Sequence, residues 1–561
     1  YQAPDLSQQS TSNSAAITPR TLTLSATKTY DGTSVLEAGE VELGNLVGTE
    51  TLTYSGATAS SDQVVTANKY VSAITLVDGS NGGMASNYQA PDLSQQSTSN
   101  SAAITARTLA LTYSGKDKVY DGDVTASVDV ADDRVEGDVL TITPTASFDN
   151  KNVDDDKAIS ISNVVLGGAD ASNYTPNATT GSTTAAITRL SSVTWTGGGT
   201  SNNWFDPANW GGAVPDRSNV GNVVIPDGVT VTFDTSGAKG LADASSAVEV
   251  DGIGNLGSLI QTDGILNVGS DGLTLNALTQ NGGILTNLGP TSLANYNQAG
   301  GSFAGTSITV DQFEQSAGST SLSGNLTVED HFRQSGDGNV SIDGNASITD
   351  IDGGLILGNL TATGTLDATS SAGALTQAVG TTLSVDGAAT LTATDGQDPA
   401  TDFAITVAEA TNDFKGTVTA TGGDITLADS NALTSVLTAS GDSTVRAGGD
   451  LAVSGSTQGL STTTTDDGTT SFGATTIGGG LSATSAGAIS QTGALTVSGA
   501  ATLDGGANAV TLDNAANDFQ STVNAAGSDV ALADGTGGLI LGDVTATGTL
   551  DATSSAGALT Q

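Results

Sequence analysis

A glutamine returns at a nearly constant interval through the middle of this sequence. It opens "QTDGIL" at Gln261, "QNGGIL" at Gln280, "QAGGSF" at Gln298, "QSAGST" at Gln315 and "QSGDGNV" at Gln334, with gaps of 19, 18, 17 and 19 residues. A glycine follows each within four places. A period of this size is too short for an independently folded module, but it suits one coil of a β-solenoid. Stacked strands lie about 4.8 Å apart, so equivalent residues line up in columns. A glutamine amide both donates and accepts, and can bond its own copy above and below. The glycine permits a bend that a Cβ would obstruct. Gln261, Gln280, Gln298, Gln315 and Gln334 are therefore predicted to mark one corner of successive coils.

The pattern continues with drift. "LTQAVGTTLSVDGAATL" starts at Leu375 and "ISQTGALTVSGAATL" at Ile489. Leu383 and Val385, like Leu495 and Val497, alternate with Ser and Thr, which predicts a narrow apolar interior and hydroxyl ladders outside. "GGLILGNLTATGTLDATSSAGALTQ" at 353–377 returns at 537–561 with only Asn359→Asp and Leu360→Val changed, and "TNDFKGTV" near Asn412 matches "ANDFQSTV" near Asn517. Some 320 residues at about 19 per coil predict about 17 coils, on the order of 80 Å of stack. "STTTTDDGTTSFG" (461–473) reads as a looser insertion. The alternative is a set of flat β-sandwiches built from the same short strands.

The first third repeats differently. "YQAPDLSQQSTSNSAAIT" occupies 1–18 and recurs letter for letter at 88–105, and a diverged copy, "NYTPNATTGSTTAAIT", ends at Thr188. Similar starts follow the first two copies: "PRTLTLSATKTYDGT" and "ARTLALTYSGKDKVYDGD". This divides the chain into the last strand of a preceding module (1–18), two modules (19–105 and 106–188), a Trp-rich transition or cap (189–240), and a solenoid (241–561) whose pattern is expected to continue beyond the last residue. Each module holds a Tyr-Asp-Gly turn: Tyr30, Asp31 and Gly32, then Tyr120, Asp121 and Gly122. Asp-Gly is a strong hairpin signal. The tyrosine is expected to cover a core edge with its hydroxyl at the surface. A ligand-contacting loop is the functional alternative.

The fold class expected is all-β: two tandem small β-sandwich or β-grasp-like modules, then a right-handed parallel β-helix. An open solenoid end needs a cap, and the segment from Val193 to Asp234, with Trp195, Trp204 and Trp210, is the candidate. Clustered indoles also stack on sugar rings, so carbohydrate binding by these three is the alternative reading.

Composition narrows the chemistry. The chain has no cysteine and one histidine, His331, which removes thiol chemistry and multi-histidine metal sites. Lys plus Arg is 15 against 59 Asp plus Glu, a net charge of −44, so no basic footprint exists for nucleic acid. Anionic lipid and anionic glycan are disfavoured for the same reason. No apolar run approaches the ~20 residues of a membrane span, and no signal peptide opens the sequence, so a mature or truncated segment without membrane insertion is expected. The best catalytic candidate is "VEDHFR", with Glu329, Asp330, His331 and Arg333. Neighbouring strand residues face opposite ways, so these read as a solvated turn, and no enzyme activity is expected. Asp154-Asp155-Asp156 and Asp466-Asp467-Gly468 read as acidic turns without an EF-hand or RTX ligand pattern. No cofactor is expected, with calcium stiffening as the alternative.

The "K-x-Y-D-G" starts, the "SNY" at Ser86–Tyr88 and Ser172–Tyr174, and the closing "AAIT" resemble the YDG/MBG-type β-domains of large bacterial surface adhesins. With the "NWFDPANW" to "NVVIP" passage and the "NDF" repeats, the chain resembles filamentous-haemagglutinin-like adhesins secreted by the two-partner route, most nearly the CdrA type of biofilm-matrix adhesin. The resemblance implies an extracellular, cell-surface rod that binds a neutral exopolysaccharide or another matrix component, with neighbouring copies of itself as further partners. The competing reading is a β-helix polysaccharide-degrading enzyme.

Overall fold

The computed structural model describes residues 6–7, 15–216, 218–235 and 248–561. Most of the segment 1–18 and the boundary set at 240/241 lie outside the described residues. Among the described residues there is no α-helix, only four 3-10 turns, and no helix is long and apolar enough to cross a membrane. The chain forms two compact units. One comprises 1–119 and 123–188; the other comprises 189–561 together with Tyr120–Gly122.

In the first unit, each module is built from three small sheets around a core. In the first module, strand Thr23–Thr29 pairs antiparallel with Val41–Gly44 and parallel with Asn100–Thr105. A second sheet joins Val35–Leu36, Leu52–Ala59 and Val71–Asp78. Alternation along Thr23–Thr29 buries Leu24 and Ala26, which share an interior with Leu36, Ala57, Val71 and Ile104. In the second module, Lys118–Val119, Gly181–Thr188, Asp154–Gly167 and Thr141–Phe148 form a four-stranded sheet. A β-grasp needs a helix across its sheet, and among the described residues the only helical elements of these modules are 3-10 turns. Asp154, Asp155 and Asp156 begin a strand, not a turn.

The second unit is a β-solenoid of about 15 turns. Thirty-seven of the described strands form one continuous sheet, and every pairing in it is parallel. Each coil lends its backbone N–H and C=O groups to the coils on either side. The sheet starts at Leu190–Thr194, which pairs with Val220–Val224. The Trp-rich segment is therefore a loop out of the first coil, not a separate piece before it. Coil length is elastic: Ile348 faces Ala368, 20 residues on, Leu391 faces Ala420, 29 on, and Ala420 faces Leu437, 17 on. Extra residues leave the ladder as loops without disturbing its register. The segment 461–473 is no loose insertion: Leu460–Thr464 and Thr470–Ile477 are regular strands, joined by a turn with Asp466 and Asp467 at φ 48° and 62°.

The near-identical stretches 353–377 and 537–561 separate the effect of sequence from that of stacking. Leu366 and Leu375, covered by following coils, are 1% and 0% exposed. Their counterparts Leu550 and Leu559, with no described coil over them, are 50% and 49% exposed. Burial is conferred by the next coil. Leu366→Ala is accordingly expected to cost about 2–5 kcal/mol, and Leu550→Ala, in the same local sequence, less than about 0.5 kcal/mol. Denaturant unfolding combined with local hydrogen exchange checks both values.

Candidate functional site

Gln261, Gln280, Gln298, Gln315 and Gln334 each end a strand and stand in register in successive coils. All five are at most 1% exposed. The Gln280 Nε2 donates to Gln261 Oε1 (3.2 Å), Gln298 to Gln280 (3.0 Å), Gln315 to Gln298 (2.7 Å) and Gln334 to Gln315 (2.8 Å). The second amide proton goes to a backbone carbonyl, as from Gln298 to Ser319 O at 3.0 Å. A buried amide is tolerated only when satisfied, and its own repeat supplies the partner. Gly264, Gly283, Gly301 and Gly318, three places after their glutamines, take φ of 74–86°. On Gly301 a Cβ would lie 2.6 Å from Gly283 O, so both conformation and space demand glycine. Beside the column, Tyr296, Phe313 and Phe332 fill the interior, the last two stacked with centroids 5.1 Å apart.

Further along, the corner changes chemistry. Gln377 and Asn412 exchange reciprocal amide bonds of 2.7 and 2.9 Å, and Gln491 and Asn517 do the same at 2.8 and 2.9 Å. Both asparagines also accept from a backbone N–H, of Leu383 and Leu495 respectively, at 2.9 Å. The following Phe414 and Phe519 donate their N–H to buried Asp429 and Asp534, at 2.6 and 3.0 Å. Burial holds the Asp429 carboxyl above the usual carboxylate range, although the backbone N–H groups of Phe414 and Asn431 pull it down. The Asn-Asp-Phe repeats are thus corner locks, a role that similarity between the two copies did not reveal.

Asp350 belongs to the same series, accepting from the N–H of Phe332, Asp352 and Gly354. It also holds His331 Nδ1 at 2.8 Å. The "VEDHFR" segment is a strand, Leu326–Gln334, rather than a turn. A bulge sets the three-residue step from Val328 to His331 against the two-residue step from Val310 to Gln312. Phe332 turns inward while Glu329 and Arg333 stay exposed, so the four polar groups do not converge. Among the described residues no group of three His, Cys, Asp or Glu side chains is placed to hold a metal ion.

The tryptophans offer no ring face to a sugar. Trp195, Trp204 and Trp210 are 7%, 0% and 2% exposed. They meet edge-to-face, Trp195–Trp210 at 4.9 Å and Trp204–Trp210 at 5.2 Å, with Trp204 against Phe233 of the first coil. The Trp204 and Trp210 indole N–H groups donate to the carbonyls of Pro215 and Trp204, at 2.8 and 2.5 Å. The turn Pro207–Trp210, which carries Trp210, is capped by the Asp206 carboxylate and closed by Gly211 at φ 63°. The three rings form a small aromatic core, and the Trp204 and Trp210 polar edges are spent inside it. Nearby, an open groove of about 540 Å³ is lined by Arg189, Ser218, Glu249, Asp251, Asn267 and the exposed Leu288, among others. Arg189 is fixed there by two 2.8 Å bonds to Asp251.

The Tyr-Asp-Gly turns also differ from expectation. The Asp31 carboxylate caps Thr33 N–H at 3.0 Å and pairs with Lys28 at 2.9 Å. Tyr30 is not a surface phenol: it is 3% exposed, and its hydroxyl donates to Asp138, 3.0 Å away in the second module. Tyr174 donates to the same carboxylate at 2.5 Å. Burial, then the Asp138 hydrogen bond, pushes Tyr174 up to about 12 and Tyr30 higher still. Tyr120, 2% exposed, reaches Val214 O at 3.1 Å and Asp216 at 3.2 Å, and Gly122 lies so close to Gly212 O that a Cβ would overlap it.

Comparison with known families matches residues 105–183 to the YDG domain, and residues 343–421 and 457–526 to repeats of unknown function (DUF5649). The YDG match falls on the second module, and each repeat match contains one Asn-Asp-Phe corner. No curated protein and no solved structure matches the chain. A YDG domain beside a repeat-built β-solenoid fits an adhesin-like structural protein.

Two outcomes follow from this geometry. Gln298→Leu strands the amide of Gln315 and the hydroxyl of Thr320, which both bond Gln298 Oε1, and is expected to cost about 1–3 kcal/mol, read by denaturant unfolding. Like the buried Tyr120 and Tyr296, Tyr30 and Tyr174 ionise above the free-phenol range in alkaline titration. Because their folded pKa lies above the unfolded value of about 10, their contribution to stability is complete below pH ~10 and is lost as pH rises through about 12. Phenolate absorbance and near-UV circular dichroism follow both events.

Proposed function

We propose that this chain is a segment of an extracellular adhesin of the bacterial surface, a stiff spacer that holds cells to one another or to matrix in a biofilm, and that it is not an enzyme and needs no cofactor. The observation that carries this reading is the uninterrupted parallel ladder from Leu190 onward, whose corners are closed by buried amide and carboxylate pairs. Such a stack transmits load through hydrogen bonds oriented along its axis, and its acidic, hydroxyl-rich exterior keeps it dispersed. The YDG domain beside it supports the same reading, as does the resemblance to two-partner-secreted matrix adhesins. Because the tryptophans are buried, we place contact with a neutral exopolysaccharide at the groove of Arg189, Ser218, Glu249, Asp251 and Asn267, where carboxylate acceptors and amide donors suit sugar hydroxyls.

Pulldown of the chain on neutral and acidic exopolysaccharides, with and without chelator, tests this. Retention on the neutral glycan, indifferent to chelator and weakened at least ten-fold by Glu249→Gln with Asn267→Ala, is expected. No retention on any glycan contradicts the adhesive role. Release of reducing ends or unsaturated sugars would make the protein a polysaccharide-degrading enzyme instead.

A further inference from the structure

The second module receives the first through a defined socket. Tyr30 donates to Asp138, whose carboxylate also takes the Tyr174 hydroxyl, and that hydroxyl accepts from Val135 N–H at 2.9 Å. Gly32 lies over Val135, 2.7 Å from its Cγ1 to where a Cβ would stand. Asn173, fully buried, accepts from Val64 N–H at 2.9 Å and donates to Gln63 Oε1 at 2.8 Å, both in the first module.

The first module carries the same socket. "LVGTETLT" aligned with "RVEGDVLT" sets Val47 against Val135 and Glu50 against Asp138, and the two "SNY" triplets set Asn87 and Tyr88 against Asn173 and Tyr174. The internal bonds are reproduced: Tyr88 donates to Glu50 at 2.6 Å and accepts from Val47 N–H at 3.0 Å. Only the cover differs. Val47 is 47% exposed, and Asn87 is exposed where Asn173 is 0% exposed.

We infer that Val47, Glu50, Asn87 and Tyr88 form a docking socket for the Tyr-Asp-Gly turn of a preceding module in the same chain. Two observations fix the source. Residues 1–18 repeat 88–105, the segment that closes the first module and leads into the second. Both Tyr-Asp-Gly turns of this chain are already engaged, Tyr30 at Asp138 and Tyr120 at Val214 and Asp216, so a second copy has no turn to offer without breaking its own junction. The Tyr-Asp-Gly turn is then a coupling element, repeated so that modules link in series. This goes beyond the adhesive role and does not rest on it.

Placing a copy of residues 19–87 ahead of Tyr1 rebuilds a full first-module sequence before the chain, because 1–18 equals 88–105. Amide exchange at Val47 is expected to slow at least ten-fold in this extended protein, and Tyr→Phe in the added turn or Glu50→Gln should abolish the slowing. Unchanged exchange at Val47, while the added module is itself protected, overturns the inference. So does equal slowing when the unextended chain is merely concentrated, which would assign the socket to a second copy. The chain as it stands supplies an independent arm: Tyr30→Phe should speed exchange at Val135 several-fold, and no change there would show that the turn has no hold on its socket.

Discussion

The structure of the second unit depends on one constraint: a coil of about twenty residues cannot satisfy its own backbone. Its N–H and C=O groups point along the stack, and only another coil in parallel register can meet them. Once that register is set, every position in a coil faces its own equivalent. Side chains must then be compatible with copies of themselves. Apolar residues meet this requirement without specificity. At buried corners the requirement is stricter, and an amide, which donates and accepts at once, fulfils it. Gln261 to Gln334 is that solution in its purest form. The Gln–Asn pairs at Gln377 and Gln491, and the buried aspartates that receive a phenylalanine N–H, are variants in which backbone donors replace the identical neighbour.

The modules of the first unit solve a different problem. Each satisfies its own sheets internally, so linkage between them falls to side chains. Tyr30, Asp138 and Tyr174 concentrate that linkage in one half-buried carboxylate with two phenols on it. Continuous pairing tolerates coils of 17 to 30 residues because surplus chain escapes sideways. The module junction has no such slack: Gly32 sits where a single added carbon would strike Val135.

These two regimes explain what could be read from sequence. The glutamine corner was legible because stacking acts on residues one coil apart, and the repeat interval displays that distance directly. Alternation exposed the interior at Leu383 and Val385 for the same local reason. The partners of Tyr30 and Tyr120 were hidden because they lie 108 and 94 to 96 residues away, and no local pattern encodes them. The tryptophans were ambiguous in principle: an aromatic cluster has one composition whether it faces sugar or core, and only the burial of both indole N–H groups separates the cases. "VEDHFR" was misread as a turn because one bulged residue breaks alternation without ending the strand. The tract 461–473 looked loose because threonine is equally at home in loops and in the hydroxyl rows of a stack.

The chain lacks cysteine, which permits a direct test of coil-on-coil register. Asn297 and Glu314 are exposed partners in adjacent coils, and Arg333 stands one coil further on. Cysteines at 297 and 314 would be separated by one strand spacing of about 4.8 Å, within the reach of a disulfide, whereas 297 and 333 would be about twice that distance apart. Mild oxidation should close the first pair rapidly and nearly completely, and leave the second reduced. Failure of the 297/314 bond, or equal bonding of 297/333, would contradict the stacked architecture on which the account rests.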